Sequence, residues 1–204
     1  MLTQRNLLTV GLLCAIIALL LGVALQQHRA HTDTRPTLHG TLLDTPREIP
    51  AFQLIGIDDH PFNNQSLKGQ WTLLFFGFTH CGSICPTTLA EVNHMVQLLN
   101  PSIQKPRIVL ITVDPKEDTL ARLKTYVTSF NPTFYGARGT NNATKRLADS
   151  LGVAYATVTR NGHQDIEHTG TLILFNPKGQ LTAFFTMPHR AAWLASDYQA
   201  LLTE

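Results

Sequence analysis

Eight residues, Trp71 to Phe78 (Trp-Thr-Leu-Leu-Phe-Phe-Gly-Phe), make a nearly continuous apolar stretch rich in aromatic side chains. A short run of this kind without polar alternation is the pattern of a central strand buried on both faces. Immediately after it come Thr79-His80-Cys81-Gly82-Ser83-Ile84-Cys85-Pro86, then Leu89, Val92, Met95, Val96 and Leu99 at helical spacing. Cys81 and Cys85 therefore fall at a strand-to-helix turn.

The rest of the chain supplies elements in a consistent order. Phe52-Gln53-Leu54-Ile55 before Asp58-Asp59 reads as a strand entering a turn. Ile108 to Val113 is a second buried strand, ending at Asp114-Pro115, and Asp118 is expected to cap a helix through Phe130. A short helix over Ala143 to Leu151 and a strand over Val153 to Val158 follow. Thr171 to Phe175 and Leu181 to Phe185 flank Asn176-Pro177-Lys178-Gly179-Gln180, the pattern of an antiparallel hairpin, and a helix from Arg190 ends the chain. Strand-helix-strand alternation followed by a hairpin and a helix is the order of an α/β, thioredoxin-like sandwich around a central mixed sheet.

At 204 residues, no second folded domain is needed. Leu7 to Leu25 carries no charge over 19 residues, enough as a helix to span the roughly 30 Å of a bilayer core. Gln26-Gln27-His28-Arg29 follows, in place of the small-x-small site that ends a cleaved signal peptide. Residues 1–27 are thus expected to be an uncleaved anchor, residues 28–48, polar and interrupted by Pro36 and Pro46, a tether, and residues 49–204 the folded domain. A signal-anchor before a single C-terminal domain usually exports it. The expected location is a single-pass protein of the cytoplasmic membrane, with its soluble domain on the extracytoplasmic, periplasmic side. With 16 Lys and Arg against 14 Asp and Glu and no long run of either sign, the chain lacks the basic field that nucleic-acid binding requires.

Outside the apolar N-terminus only Cys81 and Cys85 remain, as one short-loop disulfide or as a ligand pair. If the helix starts near Cys81, both sulfurs project to one side of its first turn. The partial positive charge of a helix start favours the thiolate that metal binding and disulfide exchange both need. Pro86 suits the first turn, where its missing N–H costs little.

Several segments together resemble the Sco/SenC family in order and approximate spacing. They are Phe76-Gly77-Phe78-Thr79-His80-Cys81, Cys85-Pro86, Thr112-Val113-Asp114-Pro115 with Asp118-Thr119, and His168 before Thr171-Leu172-Ile173-Leu174 and Asn176-Pro177-Lys178-Gly179. The likeness runs from about Phe52 to the C-terminus, with Gly82-Ser83 where the family usually has Pro-Asp. It implies a copper site made by Cys81, Cys85 and His168, used in assembling the dinuclear copper centre of a respiratory oxidase. The implied partners are the oxidase's copper-bearing subunit, other copper or thiol-redox proteins, and the membrane. Two thiolates and an imidazole suit Cu(I), and similar donors hold Cu(II). For zinc the set would leave one tetrahedral position open.

His168 is one of nine histidines and is expected in the turn before the Thr171 strand, which in a thioredoxin-like sheet lies beside the cysteine turn. His80 reads as an exposed loop residue. Asp114, on the same sheet edge as Cys81, reads as an Asx turn or as a group behind the ligands. Three functions stay open: a copper-delivering assembly factor, a thiol-disulfide oxidoreductase using Cys81 as nucleophile with Cys85, and a peroxide-reducing enzyme that forms a sulfenic acid. Dedicated oxidoreductases of this fold carry C-x-x-C and a proline just before the facing strand. Here the spacing is longer, Gly170 stands before Thr171, and the loop offers His168, so the first reading leads.

Overall fold

The computed structural model describes residues 13–23, 26, 38–160 and 163–202. Residues 13–23 are helical, and among the described residues no helix is long and apolar enough to cross a membrane. The remainder of the expected anchor run, residues 7–12, 24 and 25, lies outside the described residues, as does segment 28–37 of the expected tether.

The folded unit begins at Leu38. Its strands are β1 (Thr41–Arg47), β2 (Gln53–Gly56), β3 (Pro61–Asn63), β4 (Thr72–Gly77), β5 (Arg107–Thr112), β6 (Tyr135–Arg138), β7 (Tyr155–Arg160), β8 (His163–His168), β9 (Leu172–Phe175) and β10 (Leu181–Phe185). The helices are α1 (Ile84–Leu98), α2 (Leu120–Phe130), α3 (Asn141–Ser150) and α4 (Ala191–Leu201). Eight strands form one sheet in the order β1-β10-β9-β4-β5-β6-β2-β3, while β7 and β8 pair separately.

The strand expected at the centre is there. All six residues of β4 are buried, with β5 parallel on one side and β9 antiparallel on the other. Helix α1 buries Leu89, Val92, Met95 and Val96, as their spacing predicts. The β4-α1-β5 and β5-α2-β6 crossovers leave the C-terminal ends of β4 and β5 together, with Gly77 opposite Thr112. Open α/β sheets collect ligands along such an edge. The α/β, thioredoxin-like arrangement with a mixed sheet is therefore the observed one.

The start of the folded unit differs from the expectation. Thr41–Arg47, expected in the tether, forms β1 and pairs antiparallel with β10. It is an edge strand with no fully buried side chain, so it lacks the apolar alternation that marks half-buried strands. Its entry is held by Asp197 of α4, a buried carboxylate that accepts the backbone N–H groups of His39 and Gly40 at 2.8 Å each. The His39 ring meets the other carboxylate oxygen at 3.0 Å and stacks on Trp193.

Candidate metal centre

Beyond Gly77 the chain leaves β4 through Phe78 and turns over residues 79–83 before α1 begins at Ile84. Gly77 has a steric reason to be glycine, because a Cβ there would stand 2.8 Å from the sulfur of Cys85. Cys85 lies in the first turn of α1 and is fully buried. Cys81 is partly exposed and precedes the helix, which corrects the expectation that both sulfurs sit on one helical turn. The helix starts later because Gly82 and Ser83 are used to turn the chain, with Ser83 at the N-cap making no side-chain cap bond. The Cys81 sulfur instead accepts the backbone N–H of Cys85 at 3.5 Å, one of the donors that a helix start leaves unpaired.

His168 is the last residue of β8, not part of a turn. Its Nε2 lies 3.2 Å from the Cys85 sulfur and 3.9 Å from the Cys81 sulfur, and the three donor atoms all lie within 4.8 Å of one another. The ring Nδ1 meets the Thr169 carbonyl at 3.2 Å. A carbonyl only accepts, so Nδ1 carries the hydrogen in that contact, and Nε2 is the ring nitrogen that faces the sulfurs. The edge-on rings of Phe75 and Phe78, centred 5.8 and 5.7 Å away, fix the imidazole plane.

An ion held about 2.0 to 2.3 Å from each donor requires donors about 3 to 4.5 Å apart. The observed spacings meet that requirement with little movement, and three protein donors leave a further position toward the cleft lined by Phe78, Gly82, Ser83 and Ile84. At Cys85 the electrostatics run against the expected thiolate. Burial pushes the Cys85 thiol well up; a hydrogen bond from the Phe78 backbone opposes this only in part, and the charges of Cys81 and Asp118 add to the rise. Desolvation thus outweighs the helix start at Cys85, and a cation bound there must exchange with its proton. Limited iodoacetamide at neutral pH is accordingly expected to modify Cys81 before Cys85. Peptide mapping checks this, and equal labelling of both residues would contradict the burial argument.

Residues 41–203 match the model of the SCO1/SenC family. The chain belongs to the SCO1/SenC family. Among relatives of this SCO1/SenC chain, a Stutzerimonas stutzeri protein named for copper binding is 36% identical over 187 residues, which is 91% of this chain and 88% of that one. An SCO2-like protein of Rickettsia felis is 37% identical over 66% of this chain and 67% of its own. Of solved structures, Arabidopsis thaliana ScoI with copper bound superposes with a TM-score of 0.71 at 28% identity, covering 76% of this chain and 99% of that one. Bradyrhizobium japonicum ScoI with copper bound gives 0.65 at 31% identity, covering 74% and 97%.

Around its three donors the SCO1/SenC domain carries a polar cluster that sequence reasoning assigned differently. Asp118 is not the cap of α2: Thr119 is, its side chain accepting the N–H of Arg122. Asp118 is fully buried behind the cysteine turn, accepting hydrogen bonds from Thr79 and Thr112. His80 is about half exposed, as a loop residue should be, yet its ring lies 3.5 Å from Asp114 and 4.0 Å from Asp118. Asp114 makes the expected Asx-type contact, accepting the N–H of Glu117 at 3.4 Å. Among the described residues neither His80 nor Asp114 joins the three-donor group.

Proposed function

We propose that this domain carries one copper ion on Cys81, Cys85 and His168 and serves in assembling the dinuclear copper centre of a respiratory oxidase, by delivering copper to the copper-bearing subunit or by keeping that subunit's thiols reduced. The observation that carries the reading is the convergence of two sulfurs and one imidazole nitrogen within 4.8 Å at the end of the central strand. Copper-bound relatives at 28% and 31% identity support copper as the cargo, and the donor set suits both of its valences.

The two cysteines have different duties. Cys81, partly exposed at the mouth of the site, is the ligand an incoming or departing thiol can displace first. Cys85, enclosed beneath it, holds the ion until exchange at Cys81 is complete. His168 completes the set through Nε2, the ring nitrogen that faces the sulfurs while Nδ1 meets the Thr169 carbonyl. The charge-free run from Leu7 to Leu25 supports an anchor that keeps the domain on the extracytoplasmic face of the membrane, where an oxidase subunit can be met.

The test is metal loading of the reduced soluble domain. It is expected to take up one copper per chain, with a sulfur-to-copper absorption band in the Cu(II) form. A protein that takes up none, or binds zinc while rejecting copper, would sink the proposal. The oxidoreductase alternative is separated by turnover with a disulfide substrate under a reductant: carriage predicts a stoichiometric reaction, whereas many cycles per chain would favour the enzyme.

A further inference from the structure

We propose that Asp118 is a positioning residue of the metal centre: it clamps the turn that delivers Cys81, and its buried charge shifts the site's preference from Cu(I) toward Cu(II). The second half of this inference rests on the copper reading above, whereas the first can be tested without metal.

The geometry of the clamp is closed on both sides. One carboxylate oxygen of Asp118 accepts the Thr79 backbone N–H at 3.1 Å and the Thr112 hydroxyl at 2.6 Å; the other accepts the Thr79 hydroxyl at 2.5 Å. Thr79 lies two residues before Cys81, and Thr112 ends β5 beside the end of β4. The Thr112 hydroxyl also accepts the N–H of Asp114, and the Asp118 N–H donates to the Asp114 carbonyl at 2.9 Å. A single buried side chain thereby ties the two strand ends, the β5-α2 loop and the cysteine turn into one unit.

A neutral residue could not do the same work. Three donors converge on two acceptor oxygens, and an amide in that place offers one acceptor oxygen and an N–H facing donors. Among the described residues no Lys or Arg pairs with Asp118; the basic group that faces it is the His80 ring, 4.0 Å away and shared with Asp114. Burying a carboxylate without a strong cationic partner is costly, and a loop that only needed tying would not require it.

The consequence for the cargo follows from counting charge. Two thiolates and a neutral imidazole around Cu(I) sum to −1, and around Cu(II) to zero. A fixed negative charge behind the turn therefore disfavours the Cu(I) form relative to the Cu(II) form, and by more than it would in water, since it is buried.

The experiment compares wild type, Asp118→Asn and Thr79→Val in the full chain. In the metal-free protein, deuterium exchange at the Thr79 to Cys81 amides is expected to rise about threefold or more in Asp118→Asn, as the clamp opens. With copper added as separate Cu(I) and Cu(II) titrations, Asp118→Asn is expected to bind Cu(I) about tenfold better relative to Cu(II) than wild type does, with a shifted Cu(II)-sulfur band. Unchanged exchange together with an unchanged valence ratio overturns the proposal and leaves Asp118 a folding residue. Wild type that binds no copper sinks the function proposed above, while the exchange arm still decides the clamp. Should Asp118→Asn fail to fold, Thr79→Val keeps the charge and removes one donor. Faster exchange at Cys81 with an unchanged thermal midpoint then supports the clamp, and unchanged exchange overturns it.

Discussion

Replacing His168 with alanine is expected to weaken Cu(II) binding by about a hundredfold or more, near 3 kcal/mol, while both thiols still titrate. Sulfur pairs alone satisfy Cu(I), which accepts low coordination numbers and soft donors, so Cu(I) binding should fall much less. Cu(II) needs the nitrogen, and the structure supplies it in one geometry: Nε2 at 3.2 and 3.9 Å from the sulfurs, with the ring fixed by Phe75, Phe78 and the Thr169 carbonyl. Among the described residues no second imidazole joins the group, and the neighbouring His80 is turned toward Asp114 and Asp118. Competition titration with a chromophoric chelator and the Cu(II) electron paramagnetic resonance spectrum measure the loss. A variant that kept wild-type affinity and hyperfine splitting would show that the imidazole is not a ligand. His80→Ala is the matched control and should leave both unchanged.

What the sequence revealed and what it hid divide along burial. Strand β4 was legible because both of its faces are covered, so its apolar run is uninterrupted. The hairpin of β9 and β10 was legible because Asn176 to Gly179 carries its own turn chemistry, Asn176 accepting from the Lys178 and Gln180 amides and Gly179 at φ +80. Strands β1 and β8 were not. Thr41–Arg47 is an exposed edge, and His163–His168 is largely polar, so neither shows period-2 apolar alternation. Pairing is what makes them strands, β1 with β10 and β8 with β7.

The site followed the same division. The order of Cys81, Cys85 and His168 along the chain pointed to the cluster, but the start of α1 was read three residues early. Cysteine spacing alone cannot tell a helical turn from a loop that caps the helix with sulfur. Asp118 was misread for a related reason. Asp118 and Thr119 are adjacent and both are good caps, and the donors that claim Asp118 come from Thr79 and Thr112, on two different strands. One signal was available: threonines at or just beyond the ends of two buried parallel strands must find a polar partner, and the acid six residues beyond Thr112 was within reach.

Phe75→Ala is expected to destabilise the metal-free domain by about 3 to 5 kcal/mol, a large share of the roughly 5 to 15 kcal/mol that holds a domain of this size together. Phe75 is fully buried in the middle of β4, between Leu110 of β5 and Leu172 of β9. Its removal opens a cavity where the sheet has no freedom to collapse, because both neighbours are themselves fixed by strand pairing. The same ring reaches the site: its edge meets His168, and its Cε1 would lie 3.0 Å from a Cβ at Gly77, the residue that makes room for the Cys85 sulfur. Phe75→Leu separates the two effects. It refills most of the volume, so its cost should fall to about 1 kcal/mol, yet it withdraws the flat edge that orients the imidazole. Urea unfolding of the apo protein reads the first quantity and Cu(II) affinity the second. If Phe75→Leu were nearly as unstable as Phe75→Ala, shape rather than volume would govern this part of the core. If it bound Cu(II) like wild type, the Thr169 carbonyl and Phe78 alone would be enough to hold His168 in place.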